Sequence, residues 1–377
     1  MGVGAPHGKI RGGLFEETRV SSTTSELSGV PGVASSEELA DTANYLASLQ
    51  LPSGQIPWFT GGHCDPWNHV EVAMALTISG YAREARAAYR WLGDTQLGDG
   101  SWFNYYVGDR VKDTRLDTNV CAYIATGLYH YVLATEDVDF AAELWPTVER
   151  ALEFVLRWQL DDGTIRWSLD AQGRPESYAL LTGSSSIFHS LRCGVALAER
   201  LDWAKPEWEL AAGRLGHAVA RHPGAFAPKN EFAMDWYYPM FCGALRGDAG
   251  VKRLNDGWER HVMDELGVRC VSTNDWVTAA ETAECVLTLD ALGLTSRALD
   301  LLGCTRLHRR DDGAYWTGLA YPTRTTFPDR ETTSYTAAAV LLAADALSSS
   351  SKAAGLFRHD ELATPVDLAE PGCPLGR

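Results

Sequence analysis

Gln96-Leu-Gly-Asp-Gly100-Ser-Trp102 is the stretch that decides the fold, because its layout recurs. Gln50-Leu-Pro-Ser-Gly54-Gln-Ile-Pro-Trp58, Gln159-Leu-Asp-Asp-Gly163-Thr-Ile-Arg-Trp167 and Arg309-Arg-Asp-Asp-Gly313-Ala-Tyr-Trp316 repeat it: a long polar residue, three residues, a glycine, then an aromatic. Self-similarity at a period near fifty residues marks stacked supersecondary units. The glycines fall at 54, 100, 163 and 313, and the widest gap leaves room for two degenerate copies, which makes six units. Glycine supplies the positive φ that a helix C-terminus needs, and the aromatic after it can pack over the helix end.

Each signature follows one helical segment and precedes another. Segments 37–50, 83–96, 140–160, 206–221, 250–265 and 295–308 mix charged with apolar residues, as in Arg83-Glu-Ala-Arg-Ala-Ala-Tyr-Arg-Trp91, so one face meets water. Segments 68–80, 117–133, 185–201, 236–246, 278–292 and 332–347 are mostly apolar all round, as in Asn119-Val-Cys-Ala-Tyr-Ile-Ala-Thr-Gly-Leu-Tyr129, and such a helix must be buried. Six outer and six inner helices predict an all-α (α/α)6 toroid over residues 34–348. An open α-solenoid of the same hairpins is the alternative. Residues 1–33, rich in Gly, Ser and Thr, and residues 349–377, which open on a serine run, are expected to be disordered tails.

Composition narrows the partners. The 377 residues include 33 Lys and Arg against 49 Asp and Glu, a net charge of −16 with no basic run, which disfavours nucleic acid and anionic membrane. The sequence shows no signal-peptide apolar core and no apolar run of about 18 residues, so no transmembrane segment and a cytoplasmic location are expected. The eight cysteines form no CxxC pair, and Cys121, Cys193, Cys242 and Cys285 sit inside apolar helical runs as small hydrophobes. That usage fits a reducing compartment. A small-molecule substrate is the expected partner.

The N-terminal ends of the inner helices are crowded with polar and aromatic groups. They read Asp65-Pro-Trp67-Asn68-His-Val-Glu71, Asp117-Thr-Asn119, Thr182-Gly-Ser184, Asp235-Trp-Tyr237, Asn274-Asp275-Trp276 leading to Glu281 and Glu284, and Asp329-Arg-Glu331 leading to Tyr335. In parallel inner helices these ends share one rim and converge on one cavity mouth. Asp, Asn and Thr are also ordinary N-caps, so Asp117 and Asn119 carry a capping alternative. Glu71, Glu281 and Glu284 lie past the first turn of apolar helices, where a carboxylate is costly unless paired or in a wet cavity. Glu281 and Glu284 are three apart and share a face; two close carboxylates raise one pKa, as a general acid requires.

The expected catalytic groups are therefore Asp117, Glu71, Glu281 and Glu284. The expected substrate-binding groups are Asp65, Trp67, Asn119, Asp235, Trp236, Tyr237, Asp275, Trp276, Trp316, Glu331 and Tyr335. His63, Cys64, Asp65 and His69 are metal-ligand types, but no second ligand pair accompanies them, and no metal is expected. Ser184 to Ser186 with His189 lack a strand–elbow–helix context, and Gly61-Gly62 is no phosphate loop.

The motif carried intact by Gln96, Gly100 and Trp102 resembles the repeat of squalene–hopene cyclases and other terpenoid cyclases. The β subunits of protein prenyltransferases share that α/α-toroid superfamily, and the likeness covers residues 37–347. The chain also looks like short single-domain actinobacterial proteins loosely labelled prenyltransferase. The resemblance implies an enzyme, a transferase or isomerase, that acts on an isoprenoid by acid-initiated cyclisation in an aromatic-lined cavity. It places the family's Asp-x-Asp-Asp acid at Arg115-Leu-Asp117-Thr118, with Asp117 as proton donor and with Arg115 and Thr118 departing from the pattern. Trp67, Trp236, Tyr237, Trp276 and Trp316 would then face carbocations. The prenyltransferase zinc ligands do not carry over, since Tyr237 stands at the cysteine position and Ser334-Tyr335 offers no histidine. No cofactor is implied, apart from Mg2+ if the substrate is a diphosphate; Arg110, Lys112 and Arg115 are the compact basic group for one.

The residues by themselves fit a carbohydrate-active (α/α)6 enzyme nearly as well, a glycoside hydrolase, lyase or epimerase with paired carboxylates and aromatic platforms for a glycan. A non-catalytic toroid binding a lipid or partner is the third possibility. One isolated acid in an aromatic pocket would mark the isoprenoid enzyme; two carboxyl groups in an open cleft would mark the sugar enzyme.

Overall fold

The structure is a computed structural model that describes residues 27–366. Outer and inner helices alternate along the chain. The outer set is α1 (Ser36–Leu49), α3 (Ala82–Thr95), α6 (Val138–Leu156), α8 (Pro206–Arg221), α10 (Gly247–His261) and α12 (Thr295–Cys304). The inner set is α2 (Pro66–Ile78), α4 (Thr118–Ala122) continued by α5 (Ile124–Thr135), α7 (Leu181–Arg200), α9 (Ala233–Phe241), α11 (Ala279–Ala291) and α13 (Ser334–Ser348). All twelve expected segments are present. The second inner helix breaks at Tyr123, and the fourth is shorter than expected, with Gly243 at φ 78° just past its end.

The repeated glycine signature is a staple between neighbouring hairpins. The Gln50 side-chain amide donates to the carbonyl of its own turn glycine, Gly54 (3.0 Å), and to Glu84 O of the next outer helix, α3 (2.8 Å). Gln96 does the same with Gly100 O (3.0 Å) and Thr147 O of α6 (2.9 Å), and Gln159 with Gly163 O (3.1 Å) and Ala211 O of α8 (3.0 Å). Gly54 and Gly100 hold φ of 92° and 95°, and a Cβ on either would stand 2.3 or 2.2 Å from a carbonyl oxygen of the next outer helix. Only glycine satisfies both the backbone and the approach.

In the last unit Arg309 replaces the glutamine. Its guanidinium donates to Glu38 O of α1 (3.3 Å), and Gly313 packs against the backbone of Asp41. The sixth hairpin is thus stapled to the first. The inner helices contact one another in chain order and α13 returns to α2, so the ring is closed rather than an open solenoid.

Inner-to-outer connections are short. Outer-to-inner connections are long and carry all nine described strands. β1 (Tyr105–Val107) pairs with β2 (Arg110–Asp113), and β3 (Leu116–Asp117) with β4 (Ser168–Leu169). An antiparallel sheet runs in the order β5 (Val262–Met263), β6 (Gly267–Arg269), β7 (Trp276–Thr278), β8 (Gly318–Ala320), β9 (Thr325–Thr326). The ring is all-helical; the strands build up the rim at the N-terminal ends of the inner helices. Long connections on one face of a repeat array are where function is expected.

The opposite end is covered by chain read from the sequence as tail. Leu356 and Phe357 are buried, and Phe357 stacks on Phe241 (4.4 Å between centroids) and on His189 (5.2 Å). The Tyr129 hydroxyl donates to Glu361 O and Arg192 to Ala363 O. Residues 1–26 and 367–377, the remainder of both expected tails, lie outside the described residues, as does Cys373. The other seven cysteines are free thiols, and no described helix is long and apolar enough to cross a membrane.

Candidate active site at the rim

Asp65 caps α2, ahead of a proline whose fixed φ suits the first helical turn. Its Oδ1 accepts from Asn68 N (3.0 Å), and its Oδ2 from Asn68 Nδ2 (2.6 Å) and Trp58 Nε1 (2.7 Å). Three N–H donors thus fix the orientation of the carboxylate. The indole that reaches Asp65 is the aromatic of the first repeat signature, so the staple loop also delivers a site residue.

Beneath Asp65, about 9 Å further along α2 at 1.5 Å per residue, lies Glu71. It is 4% exposed. Burial raises its pKa well above the carboxylate range, and the charges of Glu284, Asp65 and Glu281 add to the rise. Glu284 on α11 is buried too, and accepts from the hydroxyls of Tyr237 and Tyr238 (2.8 Å for Tyr238). Burial lifts Glu284 to about 8 although both phenols pull the other way. Glu281, one turn nearer the rim and only partly buried, accepts from the Thr278 hydroxyl. Tyr335 of α13 feels the charges of Glu281, Glu331 and Asp65, and stands edge-on to Trp58 at 5.0 Å. Trp67 stacks on Tyr123 at 4.2 Å and donates its indole N–H to Ser186 Oγ (3.3 Å). Four carboxyl groups, Asp65, Glu71, Glu281 and Glu284, thus form one cluster, with Trp58, Tyr237, Tyr238 and Tyr335 against it.

Asp117 borders that cluster, and the remaining candidates stand apart from it. Asp117 caps α4, accepting from Asn119 N (2.9 Å), Val120 N (3.2 Å) and Trp167 Nε1 (2.5 Å). Burial lifts its pKa to about 6, and Asp65 contributes. Asn119 beside it has a buried Oδ1 with no partner. Asp235 ties α9 to α7 through the Thr182 hydroxyl (2.6 Å). Trp236 faces outward: its indole donates to Arg253 O on α10 and its ring stacks on His261. Asp275 is exposed and ion-paired to Arg269 (3.1 Å). Trp276 meets Phe327 on the rim sheet, Trp316 packs under the Arg310 guanidinium (4.4 Å), and Glu331 accepts weakly from Thr317 (3.4 Å).

Sequence reasoning did not single out Tyr123, Tyr238 or Trp58. Trp58 carried a signal in its repeat position; the two tyrosines sit in apolar runs and carried none. The metal-ligand types scatter. His69 is buried, with Ile56 N on one ring nitrogen (3.1 Å) and Ala88 O at the other (2.9 Å), and burial pushes its pKa down to about 4. No three His, Cys, Asp or Glu among the described residues could hold a metal ion. Of the basic group, Arg115 is ion-paired to Asp113 (2.6 Å) beside an exposed hairpin.

No protein-family model matches the chain. Among characterised proteins, the MMP endo-(1,4)-3-O-methyl-α-D-mannosidase of Mycolicibacterium hassiacum is 49% identical over 334 residues, 89% of this chain and 92% of that one. Among solved structures, a conserved Thermus thermophilus protein of uncharacterised function superposes with a TM-score of 0.65 at 11% identity, covering 81% of this chain and 98% of that one. A glycosidase matches at 0.62 and 14% identity over 82% and 96%, and a D-mannose isomerase at 0.61 and 11% over 84% and 99%. At such identities the structural matches show the toroid fold alone.

The expected terpenoid-cyclase kinship is overturned by the mannosidase relative, and with it the transferase or isomerase acting on an isoprenoid and Asp117 as an alkene-protonating acid. Carbohydrate chemistry, the alternative drawn from the residues, is where the findings lie. The misleading motif, Gln-x3-Gly-x-Trp, is explained by its geometry: its glutamine and glycine staple the hairpins of a toroid together.

Proposed function

Since the chain belongs to the family of the M. hassiacum MMP endo-(1,4)-3-O-methyl-α-D-mannosidase, we propose that it is an endo-acting glycoside hydrolase of (1,4)-linked 3-O-methyl-α-D-mannose chains. The observation that carries this is 49% identity across nearly the whole of both proteins. The cluster of four carboxyl groups at the rim supplies the machinery.

Glycoside hydrolysis needs one carboxylate to activate water and one carboxyl group to protonate the leaving oxygen. Asp65, oriented by three N–H donors, takes the proton of the attacking water as the water oxygen bonds to the anomeric carbon. Glu281, the cluster member closest to the open rim on α11, gives its proton to the departing O4 as the glycosidic C–O bond breaks. Glu71 and Glu284, both raised by burial, sit beneath them and spare the site two further negative charges at neutral pH. Asp65 and Glu281 project from α2 and α11, which are separated by α13. Acting from different inner helices as separate base and acid, with water between them, the pair suits an inverting reaction. No cofactor enters these steps.

Incubation with 3-O-methylated α-(1,4)-mannose oligosaccharides, with products resolved by mass spectrometry, tests the reaction. Internal fragments from the native protein, absent with Glu281→Gln, are expected, and NMR of the first product should show the inverted β anomer. Intact oligosaccharide after prolonged incubation with folded protein would overturn the assignment.

A further inference from the structure

An aromatic pair, Phe327 exposed and Trp276 half-buried, stands on the rim outside the carboxylate cluster. Phe327, just past β9, is 56% exposed. Trp276 of β7 meets it edge-on, with centroids 5.3 Å apart and planes at 87°, and donates its indole N–H to Phe327 O at 3.0 Å. The surrounding strands are built around this pair. β8 places Gly318 under the indole, where a methyl group would stand 2.1 Å from Trp276 Nε1, and Phe327 N donates to Gly318 O at 3.0 Å. β7 runs directly into α11, so Trp276 lies five residues ahead of Glu281, about 11 Å along the chain at strand and helix rises. Phe232, 38% exposed, joins the same rim through its bridge to Val271.

The geometry points to a sugar-binding subsite: Trp276 and Phe327 take the apolar face of an O-methylated hexose unit of the substrate, some units away from the bond that is cut. This rests on the proposed hydrolysis of methylated mannose chains. An endo-acting enzyme holds its chain on both sides of the cleaved bond, so part of its binding surface lies away from the carboxylates. A hexose face lined by C–H groups and an O-methyl group buries well against aromatic rings and needs no charge to hold it. The two rings are kept in fixed orientation by the indole hydrogen bond and Gly318, so little ordering is left for binding to impose.

Phe327→Ala, a change at an exposed side chain, is compared with the native protein on long and short 3-O-methylated α-(1,4)-mannose oligosaccharides. A KM on long chains raised about fivefold is expected, with kcat and the KM on the shortest cleaved chain moved less than about twofold. Gly318→Ala, which displaces the indole, should reproduce the long-chain effect, and unmethylated chains should show a smaller one. An unchanged long-chain KM in Phe327→Ala overturns the subsite and leaves the hydrolase standing. If the native protein cleaves none of these chains, the hydrolase assignment fails by itself. Tryptophan fluorescence titration with the uncleaved oligosaccharide then decides the subsite: binding weakened in Phe327→Ala supports it, and equal or absent binding refutes it.

Discussion

The two ends of the ring differ in charge and in what their groups are free to do. Asp65, Asp117 and Glu281 gather at the N-terminal ends of the inner helices, with Glu71 and Glu284 below. At the other end Arg192, Arg246 and His189 gather around His359, which lies within the covering segment 351–363. Each helix carries roughly half a positive charge at its N-terminus and half a negative one at its C-terminus, so six parallel inner helices favour this polarity. Dipoles alone do not separate a site from a seal, however. At the far end, Phe357 and its neighbours close the barrel, and burial pushes His189 down to about 3, so that histidine is neutral. At the rim, long connections surround the carboxyl groups, of which Glu281 is partly exposed. The comparison teaches that these acidic groups are placed by the helix ends and made available by loop length.

Breaking the rim should cost activity without stability. Glu281→Gln and Asp65→Asn should each lower kcat on methylated mannose chains by about a thousandfold, with unfolding midpoints for Glu281→Gln near native. Breaking the other end should do the reverse. Phe357→Ala removes a buried ring stacked between Phe241 and His189 and should cost about 3 kcal/mol in urea unfolding, with kcat of the folded fraction retained.

Protonation sharpens the contrast further. Glu284 has a folded pKa raised to about 8 from an ordinary 4.5. Between these values the folded chain binds more protons than the unfolded one, so stability is fullest below about 4.5 and falls as pH rises toward 8. Glu284→Gln should flatten that loss, measured as the pH dependence of the unfolding midpoint; an unchanged slope would place the titrating group elsewhere. The smallest effect belongs to Asp117. Asp117→Ala should cost about 1 kcal/mol as a lost N-cap, and Asp117→Asn should change kcat less than about threefold. A collapse of activity in Asp117→Asn would move the catalytic centre toward α4.

Much of the architecture was legible in the chain. The glycine signature and the alternation of amphipathic with wholly apolar helices specify a ring of six hairpins, because helix periodicity and the φ > 0 demand at Gly100 are local properties. The rim was legible for the same reason, since polar first turns on parallel helices share an end. The isoprenoid assignment failed because Gln96 serves the backbone: its amide bonds Gly100 O and Thr147 O, so the motif reports how hairpins join and nothing of what the cavity holds.

By itself, then, the sequence determined the toroid, its open end, and the set of acidic residues available there. Tertiary structure decided which of them act together. Asp65, Glu71, Glu281 and Glu284 meet, whereas Trp236 turns outward to His261 and Asp275 pairs with Arg269 in solvent. That choice depends on how far each inner helix is rotated about its own axis and where its first turn sits against its neighbours. Packing between neighbouring hairpins, and the closure of α13 on α2, fixes both, and no local pattern encodes them.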